Sequence, residues 1–190
     1  GMVDQVKSVF ANIGSASYSG IDLNAAYKRN IESGVVGLSM YGTYMNKADE
    51  TSPSGTISKR VGTMVESNGD PVIGADSGGV IVKWKHLLTV SYETGPWRYT
   101  LGQNFYTGYR TGDRQIDGEP NYVPNQTTYN AQVSYNGVKN LRMTLGVKNL
   151  FDKNPPIYVP ASNQFASGYD ISMYDPRARF IYLSANYKFK

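Results

Sequence analysis

The sequence predicts an all-β protein, an antiparallel up-and-down meander of about eight strands that is part of, or closes as, a transmembrane-type β-barrel. Three observations predict it. Apolar residues recur at every second position in segment after segment, which sends them to one face of a strand and their polar neighbours to the other. The 20 Gly and 9 Pro suit a chain of many turns. The intervals between segments alternate short and long, the pattern of a membrane barrel with tight turns on one rim and long loops on the other.

The first strand is expected over residues 5–13, with a short turn at 14–17. The second, Tyr18 to Arg29, sets Ile21, Leu23, Ala25 and Tyr27 against Asp22 and Asn24. A tight turn near 30–34 leads to the third, Val35 to Lys47, where Val36, Leu38, Met40 and Tyr44 oppose Ser39 and Thr43. Residues 48–80, rich in Gly and Pro with scattered charges, read as a long loop. Loops of that length are uncommon in compact soluble domains and are usually functional or disordered.

The fourth strand, Trp84 to Glu93, aligns His86, Leu88, Val90 and Tyr92. After Thr94-Gly95-Pro96 the fifth, Trp97 to Tyr109, sets Trp97, Tyr99, Leu101 and Phe105 against Arg98, Thr100 and Asn104. A second long loop covers 111–124. The sixth strand, Gln126 to Tyr135, opposes Tyr129, Ala131, Val133 and Tyr135 to Asn130, Gln132 and Ser134. Asn136-Gly137 is a hairpin-turn signal. The seventh, Leu141 to Phe151, sets Leu141, Met143, Leu145 and Val147 against Arg142, Thr144 and Lys148. A third long loop, 153–176, precedes the last strand, 177–189. There Ile181, Leu183, Ala185, Tyr187 and Phe189 form the expected lipid face, and Ser184, Asn186 and Lys188 face a wet interior.

Composition narrows the function. Sixteen Tyr against 6 Phe and 2 Trp suit a membrane interface, a binding surface or simply strands. There is no Cys, hence no disulfide framework, thiolate metal site or thiol nucleophile. The formal charge is +4 without a long basic run, which argues against nucleic acid. No run of 18 apolar residues marks a transmembrane helix, a test to which barrels are blind. Met2 is followed by Val-Asp-Gln rather than a secretory leader, so either the chain is cytosolic or an export signal lies upstream. Asp49, Glu50, Glu66, Asp70 and Asp76 match no calcium-ligand spacing and read as solvated loop charge. His86, the single His, reads as structural. No metal, cofactor or catalytic constellation is expected, so the chain is not read as an enzyme.

Leu141-Arg-Met-Thr-Leu-Gly-Val-Lys-Asn-Leu-Phe-Asp152, followed by Lys153-Asn154-Pro155-Pro156, resembles the penultimate-strand motif of TonB-dependent outer-membrane receptors. Tyr174-Asp175-Pro176-Arg177-Ala178-Arg179 resembles the closing motif of the same family, and Asn12-Ile13-Gly14 with Ser19-Gly20-Ile21-Asp22-Leu23 is similar to an earlier hairpin. The family usually has Gly at the place of Ala178 and ends on the aromatic residue, whereas Lys190 follows Phe189 here.

The resemblance implies that residues 1–190 are a single barrel segment, the last third of a barrel of about 22 strands, with no plug domain or TonB box. It implies the bacterial outer membrane as location and membrane lipid as partner. The parent receptor would import a scarce nutrient, most often a ferric siderophore, using energy delivered by TonB. Tyr106, Tyr109, Arg110, Arg114 and Tyr122, with Arg177, would then stand at or near the long-loop rim, where they could meet an anionic iron chelate. Alone, such a segment has two strand edges that would pair with each other or with other copies. The alternative reading is a soluble all-β ligand-binding module, a small barrel or lectin-like domain.

Overall fold

The computed structural model describes residues 14–52, 54–64, 80–114, 120–157 and 168–189. Its elements are β1 (Ser15–Ile31), β2 (Gly34–Thr51), β3 (Ile57–Lys59), β4 (Trp84–Thr94), β5 (Trp97–Tyr106), β6 (Tyr109–Arg114), β7 (Pro120–Val123), β8 (Gln126–Val138), β9 (Leu141–Lys148) and β10 (Phe180–Tyr187). One antiparallel sheet runs in the order β1-β2-β4-β5-β8-β9-β10, with β3 added to the end of β2. β6 and β7 form a separate hairpin.

The register converts the period of two into continuous rows. Tyr27, Leu38, Val90, Leu101, Ala131, Val147 and Ile181 are successive cross-strand partners through all seven wall strands. The adjacent row on the same face reads Val36, Tyr92, Tyr99, Val133, Leu145 and Leu183 from β2 to β10. On the opposite face one row carries Lys28, Gly37, Ser91, Thr100, Gln132, Gly146 and Tyr182. Leu183 pairs with Leu145, and Ser184 with Thr144, so Leu183 and Ser184 fall on opposite faces. Gly146 has a packing role: a Cβ there would lie 2.2 Å from the Tyr182 ring, which crosses it to meet Gln132.

Several boundaries differ from expectation. The expected strand 5–13 lies outside the described residues. β1 begins at Ser15, absorbing the expected turn at 14–17, and β2 continues to Thr51, past the expected loop start at 48. Apolar alternation stops there, but Ser15, Ala16 and Ser17 still pair with Thr51, Glu50 and Asp49 because backbone pairing does not need apolar side chains. A bulge at Ser19/Gly20 leaves Asn46 between the paired Met45 and Lys47. Segment 48–80 also carries β3, and 111–124 carries most of the β6–β7 hairpin.

Asn136-Gly137 is not the hairpin turn. It lies inside β8 at a register shift between Tyr135 and Val138, and Lys139-Asn140 makes the turn, with Asn140 left-handed at φ 63°. Gly137 makes room for the Tyr135 side chain, whose hydroxyl lies 2.2 Å from where a Cβ would stand. β9 stops at Lys148 rather than Phe151, because Asn149 and Asp152 are left-handed (φ 51° and 57°) and turn the chain off the sheet. β10 covers 180–187 of the expected 177–189. β1 and β10 end the sheet on either side and do not pair, so among the described residues the sheet is open rather than closed on itself.

The sheet has no core between its faces. Among the described residues the buried hydrophobic side chains are Ala48, Met64, Val80, Val82, Tyr109, Val123 and Tyr174. All stand at the rim where the long connections leave β2, β5 and β9.

Candidate functional site: a capped lumen wall

At that rim the three long connections pack on one another. Met64, Val80 and Val82 come from the first, Tyr109 and Val123 from the second, and Tyr174 from the third. The backbones of the first and second are tied as well. Gly62 N–H donates to Ile81 O, Arg110 N–H to Gly62 O, and Met64 N–H to Arg110 O, at 2.8–3.0 Å. Arg60 pairs with Glu50, which also accepts from the Tyr18 hydroxyl. Asp49 and Glu50, expected as solvated loop charge, are thus strand residues with partners, Asp49 lying 3.6 Å from Lys47. Glu66, Asp70 and Asp76 lie outside the described residues.

Asp170 joins the second and third connections. It is buried, and its carboxylate accepts from the Tyr109 hydroxyl at 2.7 Å and from the Ser172 N–H and hydroxyl at 2.9 and 2.6 Å. The Tyr174 hydroxyl is buried without a hydrogen-bond partner among the described residues. Burial and the nearby Asp170 carboxylate push its ionisation up to about 12; the Tyr109 hydroxyl pulls the other way, but Tyr109 commits its own proton to Asp170.

Below this cap, on the polar face of β5, β8, β9 and β10, lies a cavity of about 280 Å³. Its walls include Tyr106, Lys148, Lys153, Tyr174, Asp175 and Arg177. The chain from Met173 to Ala178 folds back over the sheet to close one side. Arg177 grips Asp175 through two nitrogens, Nε at 2.9 Å and Nη2 at 2.6 Å, and lies 5.4 Å from the Phe180 ring centre. Those bonds hold the exposed Asp175 carboxyl down to about 2, with Lys148 adding to the effect. Asp152 fixes the other end of the return, accepting from Arg179 N–H at 2.7 Å.

The residues singled out in the sequence separate into distinct places. Tyr106 lines the cavity and meets the Tyr174 ring edge-on at 6.5 Å. Tyr109 is completely buried and hydrogen-bonded, so it holds the cap together and offers no surface to a ligand. Arg110 and Tyr122 are exposed and sit opposite one another in the β6–β7 hairpin. Arg114 sits opposite Pro120 in the same hairpin. Arg177 reaches the cavity, but its charge is matched by Asp175. Lys148, Lys153, Tyr174 and Asp175 were not singled out as ligand contacts. The sequence put Lys148 on the polar face, but only the folded-back chain reveals a cavity there.

The outer face has its own order. Near the long connections it carries Trp84, His86, Phe105 and Tyr129. Trp84 Nε1 donates to His86 Nδ1 at 2.8 Å, His86 stacks on Phe105 at 5.1 Å, and Gln103 bridges His86 and Tyr129. Near the tight turns it carries Tyr92, Tyr99, Trp97 and Tyr135, with Trp97 and Tyr135 only 4.6 Å apart. Along β4 the two belts, at Trp84 and at Tyr92 to Thr94, are separated by about 26–33 Å of strand at roughly 3.3 Å per residue. For a strand tilted about 40° that is about 20–25 Å of depth, close to the apolar band of an outer-membrane barrel. Between the belts the apolar side chains are exposed or half-exposed, most of all on β10, where Leu183 is 77% exposed and Ile181 64%. Tyr187 and Phe189 continue that face at the end of β10 and meet edge-on at 5.0 Å.

Residues 2–150 match the family described as TonB dependent receptor-like, beta-barrel. Two crystal structures of mutants of the ferric enterobactin receptor PfeA from Pseudomonas aeruginosa resemble this chain over 92% of its length, each with a TM-score of 0.55 and 18% identity. At that identity the likeness is one of fold. The chain spans 22% of the length of those receptors. No curated protein matches it in sequence.

Proposed function

The chain belongs to the TonB-dependent receptor-like β-barrel family, and on that premise we propose that it forms the last strands of the barrel of an outer-membrane receptor that takes up a ferric siderophore. The observation that carries this reading is the double-faced wall. An exposed apolar face between two aromatic belts suits lipid, and a polar face suits a water-filled passage. The wall strands are scaffold. Cargo is met at the cap and the cavity below it, where exposed Arg110 and Tyr122 and the cationic cavity wall suit an anionic chelate. Plug, TonB contact and energised transport are properties of the whole receptor. A soluble ligand-binding module would need a cover for its apolar rows, and no described element provides one.

The test is uptake of radiolabelled iron by cells whose only such receptor is the one containing this segment. Import of a ferric siderophore should depend on TonB and disappear when residues 107–125 are replaced by a short linker, while the receptor still reaches the outer membrane. Import that survives both changes, or a receptor that stays soluble without detergent, would contradict the reading.

A further inference from the structure

We propose that the cavity beneath the cap is a lumen-side subsite for one acidic arm of the cargo, a carboxylate- or catecholate-sized group, with Lys148 and Lys153 as its charged contacts. The inference rests on the reading of the chain as part of a siderophore receptor. Lys148 leaves the polar face of β9 just before the chain turns off the sheet, and Lys153 follows the turn. The turn is fixed by a reciprocal pair: Lys153 N–H donates to Asn149 Oδ1 and Asn149 Nδ2 donates to Lys153 O, both at 2.9 Å. The two lysines therefore line one wall of one cavity on an ordered piece of backbone.

Charge favours an anion. Among the described residues, Lys148, Lys153 and Arg177 line the cavity against one carboxylate, Asp175. Arg177 is taken up by Asp175 and stacked near Phe180, and among the described residues neither lysine forms an ion pair. Lys148 also acts on Asp175 from a distance, and the described lining keeps an excess of positive charge. At about 280 Å³ the cavity lies at the lower end of small-molecule pockets, so it suits an arm of a chelate rather than a whole one. Tyr106 and Tyr174, edge to face, offer a flank for a planar group.

The test uses the complete receptor that contains this segment, purified in detergent, with two probes: a ferric tris-catecholate, which is anionic, and a neutral ferric hydroxamate. The variants are Lys148→Gln with Lys153→Gln, the matching double Lys→Arg variant, and Lys139→Gln in the distant hairpin turn as a control. The catecholate should bind about tenfold more weakly to the double Gln variant, about 1.4 kcal/mol, with a shallower dependence on salt. The Arg variant and the control should bind as wild type. Unchanged catecholate binding by the double Gln variant, with wild type binding normally, overturns the subsite and leaves the receptor reading intact. A lower melting temperature with unchanged affinity also overturns it, because the lysines would then serve another part of the receptor. Wild type that binds neither probe overturns the siderophore reading, and the subsite with it.

Discussion

The wall and the cap of this molecule obey opposite burial rules. In the wall strands of the main sheet the large apolar residues are exposed or half-exposed, and among the described residues the sheet has no interior. In the cap, a few side chains from three connections bury one another and leave Tyr109 and Val123 essentially inaccessible. The difference follows from the solvent each region meets. A wall facing lipid gains nothing by hiding leucines, and it holds together through its backbone ladder. A cap in water must build a core of its own. The same substitution should therefore mean different things in the two regions.

The largest effect should come from emptying the cap. Tyr109→Ala removes its central ring and leaves Asp170 without that donor. It should cost about 3–5 kcal/mol of local stability, as large aromatic deletions in cores do. Hydrogen exchange should show cap amides opening while wall amides stay protected. Equal loss in both regions would mean that cap and wall are one cooperative unit.

In the wall the sensitive change is polarity rather than volume. Leu183→Lys should cost about 2–4 kcal/mol if the site lies near the bilayer midplane, and Ser184→Lys much less, both read by refolding titrations into lipid. Equal costs would erase the distinction between the faces. Within the cap a gentler probe is Asp170→Asn, which weakens the charged acceptor of Tyr109 and Ser172 and should cost about 1–3 kcal/mol. Its effect should appear in cap exchange and not in refolding.

Alkali and acid separate the two ends of the third connection. Burial raises Tyr174 from its ordinary 10 to about 12, so the folded cap holds this proton more tightly than the unfolded chain. The associated stability is complete below pH 10 and is lost as pH rises through about 12. The ultraviolet difference between wild type and Tyr174→Phe should show phenolate appearing near pH 12. Appearance near pH 10 would mean that the cap leaves Tyr174 wet. Asp175 moves the other way: it is lowered from 3.8 to about 2, so its contribution is present above 3.8 and fades as pH falls through about 2. The Asp175–Arg177 pair is exposed, so Arg177→Gln should be the mildest change here, with a melting temperature close to wild type.

The wall was legible in the sequence because an apolar face and a polar face on opposite sides of one strand force a period of two. Every wall strand from Tyr18 onward showed it. The cap was not legible, since its core joins residues far apart in sequence, such as Tyr109 and Asp170, 61 positions apart. Tyr109 therefore looked like an available tyrosine, when among the described residues it is the most buried one. One signal was present: Val80-Ile81-Val82 is an apolar run next to a long polar loop, and Val80 and Val82 enter the cap core. Asn136-Gly137 misled because a bulge needs glycine as much as a turn does, here to seat the Tyr135 ring. The cavity was half legible. Lys148 was assigned to the polar face, but that Tyr174-Asp175-Pro176-Arg177 folds back over it depends on the Asp175–Arg177 and Asp152–Arg179 contacts.

The two-faced wall is tested most directly on β10, where no cysteine of this segment competes for the label. Single cysteines at Ile181, Tyr182, Leu183, Ser184, Ala185 and Asn186 in the complete receptor, spin-labelled in lipid bilayers, report collisions with oxygen from the lipid and with a water-soluble nickel chelate. Oxygen should dominate at 181, 183 and 185 and the nickel chelate at 182, 184 and 186, in strict alternation. Uniform accessibility along the six positions, or the opposite phase, would contradict the account.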